Sequence, residues 1–255
     1  MSALIQVRGL SKAFGGVHAV EDLSFDVPAG AVQAVIGPNG AGKTTLVNLL
    51  TGVYTPDSGT IDMFGERVNG KAPERLVRLG LSRTFQNLQV CMNMSTVDNV
   101  LVGAHCKMRA GMLTGILQRK ALREAEAEWR SRAKELLAFV GIGGLGDAMA
   151  AQLSYGALKR LEIARAIAGD PKLILMDEPA AGLNSAEKIE MAELIRRIAQ
   201  QGTTVVLIEH DMKLVMGVSD HVLVLHHGRR LALGSTDAVR NDPAVIEAYL
   251  GGAHD

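Results

Sequence analysis

Apolar residues along the chain fall into short runs, separated by stretches with helical spacing. Leu4–Val7, Leu23–Val27, Val32–Ile36 and Thr60–Met63 are each bounded by Gly, Pro or Asp and predict strands. Leu173–Met176, Thr204–Ile208 and Val222–Leu225 are almost wholly apolar, the pattern of strands covered on both faces in a parallel sheet. Ala186–Gln201 and Met212–Val218 read as the helices alternating with them. Between about Leu88 and Gln152 no strand pattern occurs. There Lys120–Val140 is rich in Ala, Glu, Arg and Leu, and Leu122, Ala125, Trp129, Ala133, Leu136 and Val140 form one apolar stripe at helical spacing. Trp129 is read as a core residue of this helix. The expectation is an α/β core with a mostly parallel sheet, interrupted by a helical insertion.

Composition narrows the class. The chain has 255 residues, 47% hydrophobic and 21% charged, with 27 Lys+Arg against 27 Asp+Glu. That balance excludes a largely disordered chain. Zero net charge leaves no basic excess for phosphate neutralisation, so nucleic acid is not an expected partner. Cys91 and Cys106 are too few for a disulfide framework and are expected as reduced thiols in a cytosolic protein. Met1–Leu10 lacks the pattern of a signal peptide. No run of 18 apolar residues occurs, so any connection to a membrane is expected through a partner.

The most informative stretch is Gly37-Pro38-Asn39-Gly40-Ala41-Gly42-Lys43-Thr44-Thr45, which fits the phosphate-loop pattern of Gly, four residues, Gly, Lys, Ser/Thr. The strand Val32–Ile36 precedes it and Thr45–Leu50 reads as the following helix. Glycines let backbone wrap a phosphate closely. Loop N–H groups and the helix N-terminus then present donors and partial positive charge to an anion. Lys43 is expected on the β- and γ-phosphates, and the Thr44 hydroxyl on Mg²⁺. A second strand, Leu173–Met176, runs into Asp177-Glu178-Pro179. Asp177 is expected beside the phosphate loop at the strand's carboxyl end, holding Mg²⁺ through water. Glu178 points the other way, suited to polarising an attacking water.

Further segments in the same order resemble the ATP-binding cassette ATPases. Leu153-Ser154-Tyr155-Gly156-Ala157 is similar to the family signature LSGGQ, with Tyr155 and Ala157 departing from it, and Leu158–Ala168 reads as the helix behind it. Gln86, in Arg83-Thr84-Phe85-Gln86-Asn87, resembles the Q-loop glutamine. His210, after the strand Thr204–Glu209, resembles the switch histidine. Phe14 matches the aromatic that stacks on adenine, and Gly182-Leu183-Asn184 the D-loop, with Asn184 where Asp is commonest. The resemblance covers about Leu4 to Tyr249.

This resemblance implies a P-loop NTPase core with a mostly parallel sheet, an N-terminal antiparallel β subdomain and an inserted α-helical subdomain. The implied division is 1–87 with 168–255 as nucleotide-binding core, and 88–167 as helical subdomain carrying the signature. It implies ATP and Mg²⁺, with Asn39, Gly40, Ala41, Gly42, Lys43, Thr44 and Thr45 on the phosphates and Phe14 on the base. Ser154 and Gly156 would serve the nucleotide of a second cassette, itself or a paralogue, in a head-to-tail dimer. Thr44, Gln86 and Asp177 would hold the metal, and Glu178, His210 and Gln86 would serve hydrolysis. Membrane permease subunits are the implied direct partners, a solute-binding protein an indirect one, and the inner face of the membrane the implied location.

A narrower similarity, to the ATPases of branched-chain amino-acid importers, rests on Asn99–His105, Leu158–Arg165, Glu178–Asn184 and the ending Asn241–Gly251. At this stage three alternatives stay open: another transport system, a cassette outside transport, and a nucleotide-gated module that does not hydrolyse. The uncharged segment Leu88–Ser95 beside Gln86 is expected as an exposed apolar patch for a membrane subunit.

Overall fold

The computed structural model describes residues 3–112 and 119–250, with side chains described for 3–108 and 124–249. Its elements in chain order are β1 (Ala3–Phe14), β2 (Val17–Pro28), β3 (Val32–Ile36), α1 (Lys43–Leu50), β4 (Ser58–Met63), β5 (Glu66–Arg67), α2 (Pro73–Leu79), β6 (Leu81–Arg83), α3 (Thr96–Met112), α4 (Arg119–Phe139), α5 (Tyr155–Ile167), β7 (Leu173–Asp177), α6 (Ser185–Gln200), β8 (Thr204–Ile208), α7 (Met212–Val218), β9 (His221–His226), β10 (Arg229–Gly234), α8 (Thr236–Arg240) and α9 (Pro243–Leu250).

Six strands form a sheet in the order β10-β9-β3-β8-β7-β6, parallel throughout except for the β9/β10 hairpin. Every residue of β3, β7 and β8 is buried, as their unbroken apolar runs require of strands covered on both faces. A second, antiparallel sheet has the order β2-β1-β4-β5. Its strands alternate instead: Val20, Leu23, Phe25 and Val27 of β2 turn one face inward. In β1 a bulge at Gly9 shifts the register between Val7 and Leu10, so both reach the core.

Helix α1 lies between the two sheets. Leu46, Val47, Leu49 and Leu50 share one buried cluster with Ile5, Val7 and Phe25 on one side and Val35, Leu175 and Val206 on the other. On the opposite face of the six-stranded sheet a second cluster joins Ile174, Met176, Val205 and Leu207 to α5, α6 and α7, and continues into α3 and α4 through Val97, Val100, Ala133, Leu137 and Val140. Helices α3, α4 and α5 thus share one apolar layer with that face of the sheet. The buried seam of α4 runs Ala133–Leu137 and continues to Val140 just beyond its end, while Trp129 and Leu136 pack half-buried at its edge. Leu122, which opens the expected stripe, and Gly251, which closes the expected C-terminal similarity, lie outside the residues so described.

Six elements carried no readable pattern. β5 and β6 have two and three residues, β10 opens with Arg229-Arg230 at a sheet edge, and α2, α8 and α9 are short. No described helix is long and apolar enough to cross a membrane. Cys91 and Cys106 are free thiols.

Candidate functional site

The phosphate-loop sequence leaves the carboxyl end of β3, which pairs with β8 on one side and β9 on the other. Two backbone approaches fix its path. A Cβ on Gly37 would stand 2.2 Å from the Leu225 carbonyl oxygen, and one on Gly42 2.2 Å from that of Ala19. Gly42 (φ 99°) also caps α1 without a side chain, so no cap side chain takes an N–H of the first turn and an anion can. Asn39, Gly40 and Thr44 are exposed, Lys43 and Thr45 half-buried, and Ala41 buried, its carbonyl accepting from the Gly228 N–H at 3.1 Å. The Lys43 ammonium folds over the loop and donates to the Gly37 and Pro38 carbonyls at 2.6 and 2.9 Å. Burial lowers its pKa, with Glu178 and Asp177 opposing that shift.

Asp177 ends β7 beside Ile208 of β8. Its carboxylate meets the Arg83 guanidinium at 3.2 Å, and Arg83 also donates to Asn48 Oδ1 in α1 at 3.0 Å. Burial raises the Asp177 pKa while Arg83 opposes the rise. The next residue, Glu178, adopts left-handed backbone (φ 49°), unusual for a non-glycine residue, and this turns its side chain away from Asp177's path. One Glu178 oxygen accepts from Gln86 Nε2 at 3.3 Å; the other lies 3.6 Å from His210 Nδ1. Three loops, following β6, β7 and β8, therefore bring Gln86, Glu178 and His210 together.

Phe14 sits at the end of β1, half-exposed, edge-on to Tyr54 with ring centres 5.2 Å apart. Ser154 caps α5 through a bond from the Ala157 N–H. Gly156 packs beneath Glu187, and the Tyr155 ring lies against Gly182. No hydrogen bond among the described residues joins Ser154 or Gly156 to the Gln86–Glu178–His210 group. Asn184 has a structural task the sequence comparison did not anticipate. Its Oδ1 accepts from the N–H groups of Ala186 and Glu187, and Glu187 accepts from the Asn184 N–H, a complete capping box opening α6. Asn184→Ala should lower stability by about 1 kcal/mol, and Asn184→Asp should not, in denaturant titrations.

Sequence reasoning missed Tyr54, Arg83, Lys159, Glu162 and Glu209. Glu209 is buried at the end of β8 and accepts from the N–H groups of Ala180, His210 and Asp211, tying the loop after Glu178 to the loop carrying His210. The available signal was an acid directly following an almost wholly apolar run, as at Asp177. The expected patch Leu88–Ser95 is only partly right. Leu88 and Val90 pack against the core, while Met92 and Met94 are exposed.

The model of the ABC transporter family matches residues 20–181. This chain belongs to the ABC transporter ATPases. The match makes the chain an ATP-hydrolysing subunit of a transporter. A shorter model, of the branched-chain amino acid ATP-binding cassette transporters, matches residues 229–255. The cassette is 42% identical over 98% of both chains to the high-affinity branched-chain amino acid transport ATP-binding protein LivG of Salmonella typhimurium. It is 41% identical over the same shares to BraF of Pseudomonas aeruginosa, which carries the same description. Among solved structures, the ADP conformation of MJ1267, an ATP-binding cassette of an ABC transporter, superposes with a TM-score of 0.85 at 31% identity, covering 98% of this chain and 100% of that one.

Proposed function

We propose that this cassette is the ATP-hydrolysing subunit of an importer of branched-chain amino acids. The observation that carries the substrate class is the match of residues 229–255, which lies wholly outside the stretch matched as a general cassette. The relatives named above, similar along nearly the whole chain, support the same reading.

In this reading residues 1–87 and 168–255 form the nucleotide-binding core and 88–167 the helical subdomain. ATP lies with its adenine on Phe14, with Tyr54 behind it, and its phosphates over Asn39–Thr45. Lys43 exchanges the loop carbonyls for phosphate oxygens. Its partly buried ammonium is strongly attracted to an anion there. The oxygens of Thr44, Asp177 and Gln86 are hard donors that fit Mg²⁺, which when bound neutralises charge on the phosphates. Glu178 takes the proton of the attacking water, Gln86 holds that carboxylate in place, and His210 faces the γ-phosphate. Ser154 and Gly156 complete the site of a second cassette in a head-to-tail dimer. ATP contacts both cassettes and its products do not, and that difference drives the attached membrane subunits.

The permease surface is assigned to a cleft of about 630 Å³ between α2, β6, α3 and α5, lined by Val77, Phe85, Val102 and Cys106 among others. Phe85 is half-exposed there and next in sequence to Gln86. Phe85→Ser should leave the melting temperature of the isolated chain within about 2 °C, because exposed positions change stability little. Co-purification with permease subunits should be lost. The complex then sits on the inner face of the membrane, with a solute-binding protein on the far side.

The function is tested in vesicles containing this chain and the permease subunits with which it co-purifies. ATP-driven accumulation of leucine, isoleucine and valine, in preference to urea or a polar amino acid, is the expected result. ATP-driven uptake of a different solute class with none of these three would replace the substrate assignment.

A further inference from the structure

Helix α5 carries three polar residues on one face, Lys159, Glu162 and Arg165, at i, i+3 and i+6, among buried apolar neighbours. All three are bonded to the backbone around Gln86. The Glu162 carboxylate accepts from the N–H groups of Phe85 and Gln89 at 3.2 and 3.4 Å. The Lys159 ammonium donates to the Gln86 carbonyl at 3.4 Å, and Arg165 donates to that of Gln89. One helix face thus holds the loop 85–89 at both ends and in the middle, and the only side chain between these bonds that reaches Glu178 is Gln86.

Burial makes this arrangement costly to keep. Lys159 and Glu162 are 2% and 5% exposed. Burial pushes the Glu162 pKa up, against the pull of the two N–H groups, Lys159 and Arg165. Buried charges of this kind are often no more stable than apolar residues of similar volume, so packing alone does not account for them. The bonds do account for them, because an apolar residue would leave the Phe85 and Gln89 amides without acceptors.

We infer that Lys159, Glu162 and Arg165 are positioning residues that make the loop 85–89 ride on α5, so that the distance from Gln86 to Glu178 is set by the helix whose N-cap is Ser154. Ser154 lies about one and a half helical turns from Lys159 and just over two from Glu162, close enough for rigid transmission. Any displacement of Ser154 by a nucleotide at the dimer face moves the Gln86 amide against the general base in the same chain. The inference rests on the roles of Gln86 and Glu178 given under the proposed function.

Three measurements on the full-length chain test it. The first is amide hydrogen exchange, which does not depend on activity. Glu162→Ala should speed exchange at Phe85 and Gln89 at least tenfold, with exchange in β3 and β8 unchanged. Arg165 is only half-buried, so Arg165→Met will fold and should speed exchange at Asn87–Val90. Unchanged protection in both variants overturns the clamp. The second is turnover. Glu162→Ala should lower kcat between about 10- and 100-fold with KM for ATP within twofold, as expected when a reacting group is misplaced rather than lost, and Glu162→Gln, which keeps an acceptor oxygen, should recover most of it. The third is a cycle with Gln86→Ala. If Glu162 acts through Gln86, the double variant turns over no more slowly than Gln86→Ala alone. Multiplying effects refute action through Gln86. A normal kcat for Gln86→Ala itself would instead refute the reading of Gln86, leaving the exchange result to decide the clamp.

Discussion

Glu178→Gln will bind ATP with unchanged affinity and hydrolyse it about 10²- to 10⁴-fold more slowly, the range expected when a general base is removed. The substitution keeps the side chain's length and an oxygen for the bond from Gln86, so the geometry at 3.3 Å survives. It keeps the left-handed backbone at residue 178 as well, since that is set by the bond from the Glu178 N–H to the Ile208 carbonyl and by Glu209 beyond it. Only the capacity to take a proton is lost. ATP affinity is read by titration calorimetry and turnover by phosphate release. Turnover within threefold of the parent would remove Glu178 from the base role and direct attention to His210, whose Nδ1 lies 3.6 Å away.

Gly42→Ala is the second large effect, and it concerns backbone rather than chemistry. The new Cβ would lie 2.2 Å from the Ala19 carbonyl oxygen, and main chain cannot swing aside as a side chain can. The position is also held at φ 99°, outside the range of alanine. Both costs fall together, so a loss of at least about 4 kcal/mol is expected, of the size seen only for overpacked or strained sites. ATP binding should go with it, because α1 could no longer start where it does. Gly40→Ala is the control. Its φ is 78° but nothing lies within 4 Å of the added carbon, so only the conformational part applies, about 1–2 kcal/mol. Equal losses in the two variants, measured by denaturant unfolding, would show that the approach of Ala19 carries no weight.

The contrast shows what a sequence can and cannot disclose. The run Val32–Ile36 and the pattern from Gly37 to Thr45 announce a strand, a loop and a helix because each residue type is demanded locally. The approach of Ala19 to Gly42 is not local, and no pattern of residues records it. The same holds at the carboxylates. Asp177 and Glu178 were legible because an apolar strand runs into two acids. Arg83, which pairs with Asp177, comes from a three-residue edge strand too short to leave a period. Nothing in the sequence marks out Lys159 and Glu162, two polar positions on a helix, and only packing shows that they face inward. Leu88 was misread for the complementary reason: an uncharged segment looks alike whether its apolar residues face solvent or core.

The order of strands has a consequence for synthesis. β3 is complete by residue 36, yet both of its partners, β8 and β9, come from residues 204–226. The phosphate loop waits equally long: Ala41 is held by the amide of Gly228, and Glu21 of the antiparallel sheet donates to the carbonyl of the same residue. On the ribosome, the residues before 204 therefore emerge with a largely apolar central strand bare along both edges, a template for pairing with a neighbouring nascent chain. Competence to bind ATP is expected only once residues 204–228 have emerged. A fragment ending before residue 204 has the entire phosphate-loop sequence but neither strand that flanks β3, which makes residues 204–228 the gate to a functional molecule.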